Sequence, residues 1–224
     1  MPTLPPILKP SPPKPWVPQL PRPTTWAPAE RNGTQMMADT LAAWRSIGPQ
    51  PDLWLFGYAS LVWRPEFEVA ETRPGRVHGH HRSLQMWSRV NRGTPERPGL
   101  VFALVRGGSV QGLALRVPYE QVEALMPSLW AREMPNPVYD PRWLPCQTAQ
   151  GMVPALAFTL SRRSPNFTGA LSVERYRDIF AHSVGRYGST YDYAHQTLHG
   201  LRRHGIEDRA LAQLLHLAAP CTSA

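Results

Sequence analysis

Proline placement divides this chain before any other feature does. Eleven of its 26 prolines fall in residues 1–30. Proline fixes φ and lacks a backbone donor, so such a segment enters neither a helix interior nor a central strand. Residues 1–33 therefore read as an extended, disordered Pro-rich tail. Beyond it, TQMMADTLAAWRSIG (34–48) sets Met37, Leu41, Trp44 and Ile47 at helical spacing, and Gly48-Pro49 stops the run. Residues 34–50 read as a docking helix with its linker, and 51–220 as the folded body.

Within that body LWLFGY, from Leu53, is an apolar run of strand length bounded by Pro51-Asp52 and a glycine. Residues 76–88 and 98–105 read as strands, with Gly107-Gly108 as a hairpin turn into a strand at 109–117. Pro118 opens a helix through about Met134. A Pro-rich turn carries Cys146, residues 152–160 return to strand, and helices are expected over 172–184, 190–204 and 207–218. Strands come first and helices gather late. This order argues for an α+β fold with a mainly antiparallel or mixed sheet.

The formal net charge of +8 invites a nucleic-acid reading, but the charge is diffuse. Only two basic residues are lysine, and the longest basic runs are the pairs Arg162-Arg163 and Arg202-Arg203. No nucleic-acid partner is expected; anionic small substrates suit a basic protein equally well. No apolar run has the length of a membrane span or a secretory signal. Two cysteines, Cys146 and Cys221, cannot build a disulfide scaffold or a four-cysteine metal site. A soluble protein of the reducing cytoplasm fits these features, and the oligomeric state stays open.

Two segments point to chemistry. In FGYASLVWRP (56–65) a strand ends at Gly57 in a tight turn of small residues. Such a corner exposes successive N–H groups that can hold a carboxylate or carbonyl oxygen. Ser60 lacks the second glycine and the strand-turn-helix context of a nucleophile elbow. The second segment is the helix after Pro118. At about 100° per residue, Val122, Leu125, Met126, Leu129 and Trp130 form one stripe, and Glu133 falls in its middle; Glu120 and Glu123 do not. Burial and the helix C-terminal dipole would both raise a carboxyl pKa there, toward general acid–base use. The alternative is a helix that ends one turn earlier, leaving Glu133 as an exposed partner of Arg132. His78, His80 and His81 crowd one strand, with His78 and His80 on one face, but lack further ligands for a metal. Cys146 reads as a structural thiol.

Together these segments resemble the ChaC-like γ-glutamylcyclotransferases, glutathione-specific branch. The motif FGYGSLxW stands as Phe56-Gly57-Tyr58-Ala59-Ser60-Leu61-Val62-Trp63, with Ala59 where the family usually has glycine. RGxPxxPG stands as Arg92 to Gly99, and LWxREM as Leu129 to Met134, followed by Tyr139. The late G…GTNxxYL segment is similar to Gly185–Ala194, including Gly188, Thr190 and Tyr193. The resemblance implies a γ-glutamylcyclotransferase-like fold, a small mixed β-barrel with helices packed around it. It implies that Tyr58, Ala59, Ser60 and Leu61 grip a γ-glutamyl group, with Tyr193 in the pocket, and that Glu133 is the acid/base. Alanine at 59 is tolerated where φ is negative and strained where φ is positive.

The implied reaction is intramolecular aminolysis of glutathione to 5-oxoproline and cysteinylglycine, with no cofactor and no metal. Two other readings stand beside it: the same chemistry on another γ-glutamyl amine, and a non-catalytic basic binding module.

Overall fold

The structure, a computed structural model, describes residues 32–219. The expected tail lies outside the described residues except for Asn32 and Gly33. The elements in chain order are α1 (Gly33–Arg45), β1 (Leu53–Gly57), α2 (Ser60–Trp63), β2 (Glu71–Ser88), β3 (Gly99–Val117), α3 (Tyr119–Glu133), β4 (Asp140–Thr148), β5 (Gly151–Leu160), α4 (Val173–His182), the two-residue β6 (Val184–Gly185) and β7 (Gly188–Ser189), α5 (Thr190–Arg203) and α6 (Arg209–Leu217). Side chains of Asn32, Ser172, Ser189 and Asp208 cap α1, α4, α5 and α6 by accepting first-turn amides.

Five strands close into a barrel in the order β1-β3-β2-β4-β5. The closing pair, β1 with β5, is parallel, and the other neighbours are antiparallel. This is the mixed α+β barrel that the sequence leads one to expect. β1 is buried on both faces, which is why it reads as an unbroken apolar run. Trp54 and Phe56 join a core with α4, α5 and α6; Leu53 and Leu55 join a second core with α1 and α3. α1 docks through Met36, Thr40 and Trp44. Trp44 stacks on Tyr119 at 5.4 Å and donates from Nε1 to the Pro51 carbonyl at 3.0 Å.

Three local expectations are corrected. Gly107-Gly108 does not reverse the chain, because β3 runs through it as one long strand. Both glycines have positive φ, 112° and 72°, and they bend β3 at a bulge opposite Gly79, whose φ is 80°. The first half of β3 thereby reaches β5 while its second half pairs with β1. That bulge also breaks the two-residue alternation at His78 and His80: His78 is exposed and His80 is half-buried. Finally, the Pro-rich turn before Cys146 is strand β4. Pro141 and Pro145 lie on the stretch of β4 that pairs with β5 alone, because β2 reaches only Cys146 to Thr148. An edge position accommodates a residue with no N–H.

No helix among the described residues is long and apolar enough to cross a membrane.

Candidate active site

The site grows from the end of β1. A Cβ at Gly112 would lie 2.5 Å from the Gly57 carbonyl oxygen and 2.8 Å from the Phe56 ring, so glycine there lets the strand end press against β3. The chain then turns through Tyr58 and Ala59 into the single turn α2. This is the strand-turn-helix context not expected from the sequence, although no second glycine accompanies it. Ala59 has φ −143°, outside the positive-φ region that demands glycine, so alanine meets no penalty of that kind there. No side chain caps α2. Val62 N donates to Ala59 O at 2.9 Å and Arg64 N to Ser60 O at 2.7 Å, while the Ser60 and Leu61 amides have no carbonyl one turn back.

α3 delivers Glu133 to this corner. Val122, Met126, Leu129 and Trp130 are buried, and Glu133 is the last helical residue. Pro127 does not break the helix; it faces outward, where the carbonyl it leaves unbonded meets solvent. The Glu133 side chain is 17% exposed, and Arg132 Nε lies 3.1 Å from its Oε1. The helix therefore does not end one turn earlier and Glu133 is not an exposed residue: it lies in the buried stripe, and only the pairing with Arg132 survives from the alternative reading. Burial raises its carboxyl above the ordinary value, the charge and hydrogen bond of Arg132 pull it back, and Glu66 adds to the rise. Arg132 ties the corner together. It donates to the Pro65 carbonyl at 2.6 Å, to Glu66 at 3.1 Å and to Ser60 Oγ at 3.3 Å.

Three buried phenols lie within reach of the Glu133 charge. Tyr58 Oη donates to Phe158 O at 2.9 Å, Tyr139 Oη donates to Phe102 O at 3.4 Å, and Tyr193 Oη accepts from Phe102 N at 3.4 Å. All three phenol pKa values are raised, first by burial, and in each the charge of Glu133 adds to the rise. The Tyr193 ring packs on Phe102 at 5.4 Å and meets Trp63 edge-on at 6.4 Å. Its face carries the Arg92 guanidinium, 4.7 Å from the centroid.

Arg92 belongs to a hub made by close backbone approach. A Cβ at Gly93 would stand 2.1 Å from Gly99 N, and one at Gly185 would stand 2.4 Å from Gly93 N. Thr190 Oγ1 accepts from Leu100 N at 2.9 Å and donates to Arg92 O at 3.3 Å. Arg92–Gly99 and the segment from Gly185 are thus one structural unit. On the other side of the loop, Arg82 Nε donates to Tyr58 O at 2.5 Å and Nη2 to Gln111 O at 2.6 Å, while Nη1 pairs with Asp208.

Of the residues singled out in the sequence, Tyr58, Ser60, Glu133 and Tyr193 meet at this corner. Leu61 turns its side chain into the α1–α3 core, which leaves only its backbone at the corner. Arg132, Tyr139 and Arg92 stand within the quoted motifs but had no assigned role. Nothing in the sequence marked Arg82 or Asp208. Elsewhere, Cys146 is fully buried and its thiol is pushed up to about 12, as an inert structural thiol should be. Among the described residues no group of three or more His, Cys, Asp or Glu is placed to hold a metal ion.

Residues 53–219 match the family model described as ChaC-like protein. A glutathione-specific γ-glutamylcyclotransferase of Escherichia coli K12 is 32% identical over 191 residues, covering 85% of this chain and 80% of the relative. The mouse glutathione-specific γ-glutamylcyclotransferase 1 is 34% identical over 132 residues, 57% of this chain and 59% of the relative. The crystal structure of a yeast γ-glutamylcyclotransferase specific to glutathione superposes with a TM-score of 0.66 at 18% identity, over 75% of this chain and 95% of that one. At that identity the likeness concerns the fold.

Proposed function

The chain belongs to the ChaC-like family, and from that premise we propose that it is a glutathione-specific γ-glutamylcyclotransferase with Glu133 as its acid/base. The observation that carries the site assignment is the meeting of Glu133 with the 58–61 corner through one arginine. Arg132 touches both the Glu133 carboxylate and Ser60 Oγ. A proton acceptor and a set of open backbone donors then face one substrate.

The γ-glutamyl α-carboxylate is held by the amides of the corner, and Glu133 takes a proton from the adjacent ammonium. The freed amine attacks the carbon of the γ-amide and closes a five-membered ring. The negative charge developing on the carbonyl oxygen is met by donors of the corner. When the C–N bond breaks, the electron pair leaves on the cysteinyl nitrogen, and Glu133 returns the proton there. The carboxylate then takes the extra proton from the ring nitrogen, which becomes the lactam N–H, and passes it to the released amine, which departs as an ammonium. The products are 5-oxoproline and cysteinylglycine. Atoms and electrons balance within the substrate and one carboxyl group. Holding the flexible γ-glutamyl chain in an attack-ready bend supplies the other part of the acceleration. A carboxyl raised by burial is a better proton shuttle near neutral pH than an exposed one. Reduced glutathione is abundant in the cytoplasm, where we place the protein.

Incubation of the purified protein with glutathione, followed by mass spectrometry, tests the assignment. We expect 5-oxoproline and cysteinylglycine in equal amounts, unaffected by chelator. Turnover of γ-glutamyl dipeptides with glutathione left intact would reassign the substrate. Absence of any 5-oxoproline would overturn the enzymatic reading.

A further inference from the structure

Arg92 is a buried cation with unfilled donors, and we infer that it receives the carboxylate at the leaving-group end of the substrate, which in glutathione is the glycine carboxylate. This rests on the γ-glutamylcyclotransferase reading above and adds a specificity determinant to it.

Arg92 is 7% exposed, yet it forms no ion pair among the described residues. Its guanidinium has two contacts: Nη1 donates to the Tyr187 carbonyl, and the plane lies over the Tyr193 ring. Asp192, whose charge it feels, is engaged instead by Ser189 Oγ at 2.7 Å. A buried arginine stays charged and is normally matched by a carboxylate. Nε and Nη2 of Arg92 have no protein acceptor among the described residues. They are also absent from the fully enclosed partnerless side-chain atoms, which are His80 Nδ1 and Trp130 Nε1. These donors therefore reach solvent-accessible space, in the fork geometry that matches a carboxylate.

Position selects which carboxylate. The Arg92 guanidinium lies on the Tyr193 ring, which meets Trp63 of α2 edge-on, whereas Glu133 is tied to the other end of α2, at Ser60, through Arg132. Arg92 and Glu133 thus reach the corner through different side chains, Tyr193 and Arg132. The α-carboxylate and amine of the substrate are already claimed by the corner and Glu133. The remaining carboxylate lies at the far end of a dipeptide, which spans about 7 Å when extended. Around Arg92 the surface is cationic and aromatic: half-exposed Tyr187 is flanked by Arg64 and Arg186, whose guanidinium carbons lie 6.0 Å and 5.4 Å from its ring centroid. The arginine is also pre-positioned. Its amide donates to Ser88 Oγ at 3.0 Å and its carbonyl accepts from Thr190. A rigid cation recognises a carboxylate with little ordering loss.

The test compares glutathione with its C-terminal amide, which is nearly isosteric and lacks only that charge, on the wild-type chain and on Arg92→Met and Arg92→Lys. For the wild type the amide should show a KM about 10- to 100-fold above that of glutathione, with kcat little changed. Arg92→Met should raise the KM for glutathione by a similar factor and leave that for the amide nearly unchanged, so the discrimination disappears. Arg92→Lys should recover part of it. A wild type that handles amide and acid alike overturns the inference, and needs no variant to fold. So does an Arg92→Met protein that keeps the discrimination, or that loses kcat equally on both substrates. A wild-type chain that makes no 5-oxoproline from glutathione would instead show that the enzymatic reading itself fails.

Discussion

Two buried arginines flank the 58–61 corner, and they are filled in opposite ways. Arg82, 4% exposed in its side chain, uses its three nitrogens on Tyr58 O, Gln111 O and Asp208. Asp208 in turn caps α6 through Leu211 N at 2.9 Å. Arg92 has one carbonyl, one aromatic face and open donors. The saturated cation holds backbone: it draws the Tyr58 carbonyl away from the corner and staples the start of α6 to the barrel. The unsaturated one is the cation to which we assign the substrate's far carboxylate. Burial alone therefore does not separate structural from functional charge; the count of satisfied donors does.

Substitutions on the two sides should accordingly fail in different assays. The largest effect belongs to Glu133, on the open side. Glu133→Gln should lower kcat by about 10²–10⁴, toward the upper end because one group serves both proton transfers. Its circular dichroism and glutathione binding should persist, and Glu120→Gln, exposed on the same helix, should match wild type. Retention of more than about a tenth of the activity would show that another group moves the proton.

Next comes the saturated side. Arg82→Met leaves Asp208 facing the barrel without its cation, and breaking a buried pair in this way costs about 3–5 kcal/mol. At roughly 2–4 °C per kcal/mol for a domain of this size, the melting temperature should fall by about 10 °C. The double variant with Asp208→Asn should recover part of that loss, because the uncompensated charge is gone and an N-cap remains. If Arg82→Met instead melts like wild type and only raises KM, the contrast between the two arginines is wrong.

The smallest effect is in pH dependence. The folded-state carboxyl of Glu133 is raised, mainly by burial. The acid limb of kcat/KM should therefore have its midpoint above the ordinary glutamate value of about 4.3, with activity rising as the group ionises. The sign for stability is the reverse. Ionisation is harder in the folded chain than in the unfolded one, so stability is highest below the unfolded-state pKa. It declines as pH rises through the folded value. Glu133→Gln should consequently melt no lower than wild type at neutral pH, with any gain shrinking toward pH 4. A variant less stable at neutral pH than at acid pH, relative to wild type, would mean that the ion pair with Arg132 outweighs desolvation.

What could be read in advance follows the range of the forces involved. The helices were found because their apolar spacing and caps are local: Ser172, Ser189 and Asp208 each sit one residue before the helix they start. Glu133 was found because a helix wheel converts spacing into direction. β4 was missed because Pro141 and Pro145 forbid a strand only where both edges are paired, and which edge is free is a property of the sheet. Gly107-Gly108 was misread because positive φ at two glycines serves a reversal and a bulge equally; the partner strand decides between them.

The sequence by itself determined the class of fold, the corner after β1 and the helix face that presents Glu133. These depend on periodicity, turn chemistry and residues within about four positions of one another. The tertiary structure decided how the charges are matched. Arg132 reaches Ser60 across 72 positions and Arg82 reaches Asp208 across 126. Arg92 is left beside Tyr193 with donors to spare. A guanidinium looks the same in any one-dimensional pattern, and its role is set by the acceptors that closure of the barrel brings within hydrogen-bonding distance.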